Sequence, residues 1–420
     1  MNILVVGNGA REHTLVWKLA QSPKAEEIYV APGNAGTARI ARNLDIKMSN
    51  TEELVNKAQE KKIGLVVVGP EIPLSEGIVD RFQSTGIPIF GPTKGATQIE
   101  SSKAFAKELM QKHGIPCAQS KTFCDFRHAK DYVKQQTPPM WIKADGLAAG
   151  KGAIVANYMA QALDILSNIM EARMLGEAGE KIVIEEPLTG IEMSSFVFSD
   201  GKTVVPMVNA CDYKRIYDGD KGPNTGGMGS YSPPYFYTPE MGEIIMRTIM
   251  APVVKAMDKE KRPYRGVLYG GLMITSDGPK TIEFNARFGD PETQVILPRL
   301  KTDLVDIMMA VINGTLDEIE IECTEDACVG VVMSSGGYPE AYKTGYPIRG
   351  LNNVDDDVNV FHAGTRLGEN NEVLTDGGRV LTVVALGKTL TEAREKVYDN
   401  ISRITFEGCH YRKDIALIEQ

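Results

Sequence analysis

Asn2-Ile3-Leu4-Val5-Val6 runs directly into Gly7-Asn8-Gly9-Ala10-Arg11-Glu12, and His13 to Gln21 then carries apolar residues at helical spacing through Leu15 and Leu19. A short apolar strand, a tight glycine turn and a helix make a βαβ opening, which commits the segment to a parallel sheet. Further strands are expected at Ile28-Tyr29-Val30, Leu65 to Val68 and Pro88-Ile89-Phe90, with helices near Glu52 to Lys61 and Leu74 to Ser84. The first hundred residues therefore predict a doubly wound parallel α/β sheet.

The turn begins a dinucleotide fingerprint but does not complete it. Glu12 stands where the third glycine belongs, and the second strand ends in Ala31-Pro32-Gly33-Asn34, with no acid to hold a ribose hydroxyl. A nicotinamide-dependent oxidoreductase is thus disfavoured. Backbone N–H groups at the helix start are still expected to suit an anion. Glu71 follows Gly69-Pro70 at another strand end, where it could hold ribose hydroxyls or simply open a helix.

A chain of 420 residues predicts two to four domains, and a net charge of −9 argues against general binding to nucleic acid or membrane surfaces. The start lacks a signal-like pattern and no apolar run is long enough to span a bilayer, so a cytoplasmic protein is expected. Six cysteines (117, 124, 211, 323, 328 and 409) show neither CxxC nor Cys/His spacing and are read as reduced thiols.

Chemistry concentrates downstream. In Ile282-Glu283-Phe284-Asn285-Ala286-Arg287, an extended strand would turn a carboxylate, an amide and a guanidinium to one face. Two oxygen ligands beside a cation suit Mg²⁺ and a phosphate, although a solvated strand face explains the alternation equally well. Ser101-Ser102-Lys103 opens a helix running through Lys112. A strand at Trp141-Ile142-Lys143-Ala144-Asp145 is followed by Gly146 to Gly152 and a second strand from Ala153 to Ala156. Such a small-residue hairpin with a basic residue can lie over phosphates, or be only a flexible turn; its order is not that of a P-loop. Lys181 to Glu185 forms an apolar strand ending in Glu185-Glu186-Pro187-Leu188, a possible adenine-reading hinge. The stretch from Asp212 to Tyr231, basic and rich in glycine, is expected to be a long functional loop. Near the end, strands are expected from Val329 to Met333, Val358 to His362 and Arg379 to Leu386, with an amphipathic helix from Thr391 to Arg403.

Taken in order, Lys103, Lys143 with the AAGKG loop, Glu185-Glu186-Pro187-Leu188, Glu192, the DYKR…GPNTGGMG stretch and EFNARFGDPE resemble the glycinamide ribonucleotide synthetase family of ATP-grasp ligases. GNGAREH, APGNAGT, VVGPE, GYP, FHAGT and GGRVL extend the resemblance over essentially the whole chain. Trp141 and Cys211 depart from the usual pattern.

The resemblance implies an α/β N-terminal domain over 1–100, an ATP-grasp domain over 101–325 with a mobile lid at about 118–190, and an α+β C-terminal domain over 326–420. It implies ATP-dependent joining of glycine to 5-phosphoribosylamine through glycyl phosphate, in purine biosynthesis, by a monomer or weak dimer. By the same analogy Lys103, Lys143 and Gly150 contact ATP phosphates, Glu185 belongs to the ATP site, the backbone at Glu186 and Leu188 reads adenine, and Glu192 holds the ribose. Glu283 and Asn285 bind Mg²⁺ or Mn²⁺, while Arg287, Lys143 and Asp212 act in catalysis. Gly9, Asn34, Glu71, Lys214 and Asp290 are candidates for the amine substrate; for Gly9, Asn34, Glu71, Asp212 and Lys214 a capping or turn role is the alternative. His362 could touch substrate or be a satisfied half-buried histidine. The nearer rivals are ATP-grasp ligases that use bicarbonate or formate with another phosphoribosyl amine. A silent scaffold would have no reason to keep Lys143, Glu283, Asn285 and Arg287 together.

Overall fold

The computed structural model describes residues 1–146 and 152–418. Its first sheet contains five parallel strands in the spatial order Arg42–Asn43, Ile28–Pro32, Asn2–Gly7, Ile63–Val68 and Ile89–Phe90. Because side chains alternate along a strand, the first strand feeds two cores. Leu4 and Val6 pack with Leu54, Val55, Leu74 and Phe82. Ile3 and Val5 pack with Leu15 and Leu19, and with Leu304, Met308 and Val311. The second face is therefore closed partly by the helix Leu304–Asn313, from the far side of the chain.

The expected helix from Leu74 to Ser84 is two helices, Glu71–Glu76 and Ile78–Gln83. Gly77 separates them with φ +97°, a left-handed conformation that ends the first helix.

The central region carries two antiparallel sheets. One has the order Val204–Pro206, Ile191–Asp200, Arg265–Thr275 and Gly278–Asn285. The other has the order Ser120–Phe123, Ile182–Glu185, Met140–Ala144 and Ala153–Ala156. The latter keeps its own core: Phe123, Val133, Ile142, Leu166 and Ile184 meet between this sheet and the helices Phe126–Val133 and Met159–Met170. That separate core sets the layer apart from the rest of the central region.

The last sheet has the order Cys211–Asp212, Gly229–Ser232, Ala327–Ser334, Arg379–Gly387 and Val358–His362, with the helix Leu390–Ile401 against it. It thus takes two strands from the stretch read as a long loop. Within that stretch Arg215–Tyr217 and Lys221–Asn224 also pair as a hairpin. The hairpin is fastened from outside: Arg412, 1% exposed, meets Asp220 at 2.8 Å and Asp414 at 2.6 Å, and its guanidinium lies 4.8 Å from the Tyr213 ring centre. Short strands without apolar alternation, held by a residue 192 positions away, leave no local signal. All six cysteines are free.

Candidate active site

Three sheets converge on one cleft. On its floor, Glu283 and Asn285 occupy alternate positions of Gly278–Asn285, opposite Gly271 and Tyr269 of the neighbouring strand. The strand ends at Asn285, so Arg287 lies beyond it rather than on its face. A turn returns the guanidinium to the same place, where Nη2 donates to Asn285 Oδ1 at 3.3 Å. Arg287 is further flanked by Glu71 at 3.3 Å and Glu100 at 3.2 Å. These carboxylates hold its pKa above the ordinary value despite burial.

Lys103 sits in the first turn of Lys103–His113, whose N-cap is Ser102. Its Nζ donates to Gly146 O at 3.0 Å, and Asp145 accepts from Ala104 N–H and Ser102 Oγ, which ties the outer sheet to this helix. Lys143, on Met140–Ala144, donates to Glu185 Oε2 at 2.9 Å. Glu283 opens onto the cleft; partial burial raises its pKa, but Lys214, Lys143, Lys103 and Arg287 together hold it below the usual range. Lys143, Lys214 and Arg287 are each paired with a further carboxylate, so what the cleft offers a polyphosphate is a set of charged donors converging on one place.

Glu192 and Lys214, read as serving different ligands, form one pair at 2.5 Å, with Asp212 Oδ1 3.9 Å from the same Nζ. Burial raises the Asp212 carboxyl well above its usual range, against the pull of Lys214. Lys214 itself is raised, since Asp212 and Glu192 outweigh its burial. At the hinge, the Glu186 N–H donates to Gln119 O at 3.1 Å, leaving its carbonyl as the main-chain group able to face a base. Leu188 follows two residues on.

Two candidates on the amine side have partners within the protein. The Gly9 N–H donates to Glu12 Oε2 at 2.6 Å, and an added Cβ at Gly7, Gly9 or Gly69 would fall 2.3, 2.8 or 2.0 Å from the Glu12 side chain. The glycines therefore make room for Glu12, whose carboxylate fills the place where the turn was expected to hold an anion. Asn34 donates to Asn8 O and His362 O and accepts from the Gly36 and Thr37 N–H groups, so it staples the first sheet to the last one. Its side chain has no polar atom left for a substrate. His362 is buried, with Nδ1 3.1 Å from Thr365 Oγ1, and has the bland role. Asp290 faces the cleft but is paired with Arg379 at 3.1 Å. Gly150 lies outside the described residues.

Sequence reasoning missed four residues. Lys107 is one turn from Lys103, an i,i+4 spacing that could have revealed it. Glu100 accepts from Ala286 N–H at 2.6 Å. Buried Glu292 accepts from Ser194 Oγ at 3.0 Å, and Arg379 donates to Gly226 O at 2.6 Å, pinning the GPNTGGMG segment. Among the described residues no cluster of three or more His, Cys, Asp or Glu could hold a metal ion, and no helix is long and apolar enough to cross a membrane.

Comparison with known proteins places these features together. Models of the phosphoribosylglycinamide synthetase N domain, ATP-grasp (A) domain and C domain match residues 1–100, 101–293 and 328–418. The chain is 50% identical over 417 residues to the phosphoribosylamine–glycine ligase of Halalkalibacterium halodurans, covering 99% of this chain and 96% of that protein. The enzyme of the same name from Neisseria meningitidis serogroup A is 49% identical, with 99% of each covered. The crystal structure of the Thermotoga maritima phosphoribosylamine–glycine ligase superimposes with a TM-score of 0.87 at 31% identity, covering 99% of this chain and 100% of that one. A biotin carboxylase domain from Hydrogenobacter thermophilus, crystallised with MgADP and bicarbonate, shares the fold at a TM-score of 0.75 and 16% identity, over 98% of this chain and 91% of its own.

Proposed function

The chain belongs to the phosphoribosylglycinamide synthetase family, and from that premise we propose how its cleft divides the work. It is an ATP-dependent carbon–nitrogen ligase that joins glycine to 5-phospho-D-ribosylamine in purine biosynthesis. All the reacting groups except the amine are anionic, so the protein's task is to position them and to neutralise charge. The observation that carries the proposal is the convergence of Lys103, Lys143, Lys214 and Arg287 on Glu283.

In this reading Lys103 and Lys143 bind the ATP phosphates, and the hairpin loop that includes Gly150 closes over them. Glu185 meets the adenine together with the Glu186 carbonyl and the Leu188 N–H, while Glu192 holds the ribose and orients Lys214. Arg287, locked between Glu71 and Glu100, steadies the phosphoryl group passing from ATP to the glycine carboxylate. Phosphoribosylamine enters from the side of Glu71 and Asp290, and Asp212 with Lys214 holds the reacting amine against the glycyl phosphate. Closing the outer sheet excludes water from that anhydride.

The residues present fit magnesium or manganese. Glu283 offers an open carboxylate, and Asn285 Oδ1 accepts only a long bond from Arg287 among the described residues. Two protein oxygens are what Mg²⁺ takes when phosphates supply the rest. When bound, the ion would neutralise phosphate oxygens and orient the chain of phosphates; Glu283 and Asn285 would hold it.

The functional units are 1–100, 101–325 with a lid at about 118–190, and 326–420, with the shared last sheet coupling the second to the third. We assign the working species as a monomer or weak dimer, which sedimentation at micromolar concentration checks. The deciding assay is ADP release that requires both glycine and phosphoribosylamine with Mg²⁺. Equal release with bicarbonate in place of glycine would overturn the assignment of catalytic roles around glycine.

A further inference from the structure

Glu185 is 4% exposed and has an uneven environment. Its Oε2 accepts from Lys143 at 2.9 Å and lies 3.2 Å from Lys107 Nζ, while its Oε1 is buried with no hydrogen-bond partner among the described residues. Lys107, 3% exposed, is likewise unpartnered by hydrogen-bond geometry. Two buried ammonium groups thus share one carboxylate oxygen, and the other oxygen is left over. Each unmet polar atom in such a place carries a penalty of about 1–3 kcal/mol. Such unmet groups call for an explanation, and at the adenine end of the cleft a ligand that completes them supplies one.

Lys143 and Lys107 differ in what else they can reach. Lys143 lies on the strand that leads into the glycine-rich loop, whereas Lys107 lies one turn further along its helix than Lys103 and is 3% exposed. When phosphates draw Lys143 away, Glu185 would be a buried carboxylate without a counter-ion unless a second cation remained.

We propose that Lys107 is a positioning residue that holds the Glu185 carboxylate in place after Lys143 turns to the nucleotide phosphates, so that Glu185 Oε1 accepts the 6-amino N–H of adenine and rejects a 6-oxo purine. A carboxylate can only accept hydrogen bonds, and the carbonyl of hypoxanthine offers it none. Sites that pair a buried acceptor with a substrate N–H discriminate strongly, because the wrong base leaves the acceptor unmet. Without Lys107, the carboxylate loses the partner that fixes its orientation, and the preference for a 6-amino group goes with it. This inference rests on the placement of Glu185 at the base.

The test is equilibrium binding of the β,γ-imido analogues of ATP and ITP to the whole protein by calorimetry. Lys107→Met should weaken the ATP analogue by about tenfold or more and reduce the ATP-over-ITP preference to about twofold. Lys107→Arg should retain the preference. In a Glu185→Gln background, whose neutral amide needs no counter-ion, Lys107→Met should change little further. That double variant also serves if the single Met variant does not fold. Equal weakening of both analogues, unchanged selectivity, or simple additivity in the double variant would overturn the role. Binding needs no turnover: a wild-type protein that selects the ATP analogue but shows no glycine-dependent ADP release would contradict the ligase reading and leave this one standing.

Discussion

Glu100 and Arg287 face each other at 3.2 Å, and the second carboxylate oxygen of Glu100 accepts the N–H of Ala286, the residue just before that arginine. One buried side chain therefore fixes both the guanidinium and the backbone that carries it. Burial raises the Glu100 pKa and Arg287 opposes the rise, so the pair depends on its own closeness. Glu100→Ala should lower kcat by about 10- to 100-fold with little change in KM for ATP, and should cost about 3 kcal/mol of stability. Steady-state kinetics and urea denaturation read the two effects; an unchanged kcat would remove Glu100 from the positioning of Arg287.

Glu283→Gln keeps the shape of the cleft floor and removes its carboxylate charge. Activity should fall by about 10-fold or more and recover in part at high Mg²⁺ or Mn²⁺. Kinetics that match the wild type at every metal concentration would take Glu283 out of the metal site.

His13 and His362 meet where the first and last sheets join, with His362 N–H donating to His13 Nδ1 at 2.8 Å and the rings 5.5 Å apart. Burial, with Arg39 nearby, lowers the His13 pKa from 6.5 to about 3. The unfolded chain therefore binds this proton first as pH falls. Stability is full above 6.5 and declines towards 3, by about 1.4 kcal/mol per pH unit for this group. His13→Asn, which keeps an acceptor that does not titrate, should flatten the acid limb in denaturation titrations between pH 6.5 and 4. An unaltered slope would show that the clasp does not govern acid sensitivity.

Arg412 joins the hairpin to Asp414 and stacks on Tyr213, the residue between Asp212 and Lys214. Arg412→Met should loosen the hairpin backbone so that trypsin cuts faster after the exposed Arg215 and Lys221, and should cost about 2–3 kcal/mol. KM for glycine or phosphoribosylamine should rise more than KM for ATP. Protection of both cleavage sites in the variant would show that the hairpin holds itself.

What the sequence made legible was local. Alternation placed Glu283 and Asn285 on one strand, and the apolar run before Gly7 announced the parallel sheet. Arg287 was found for a partly different reason: the strand ends two residues earlier, and a turn restores the proximity that alternation had suggested. Glu100 carries no such mark, because its partner lies in a different element far along the chain. Asn34 and Gly9 looked like binding residues since glycine and asparagine serve ligands and turns alike; Gly9 bonds locally to Glu12, whereas Asn34 reaches across to the last sheet through His362, a partner no local pattern announces. Gly77 was visible as a residue but not as a break, because only its positive φ ends the helix.

The Glu12 carboxylate above Gly7, Gly9 and Gly69 has a wider consequence. The turn carries an internal anion, so the protein imitates, with its own side chain, the ligand that related architectures recruit from solution. Glycine spacing at a strand end is therefore a statement about volume and not about vacancy. Replacing Glu12 with glycine would not simply uncover a nucleotide site; it would leave Arg11 and a helix end without their resident negative charge, turning an architectural contact into a vacancy for whatever anion the solvent holds.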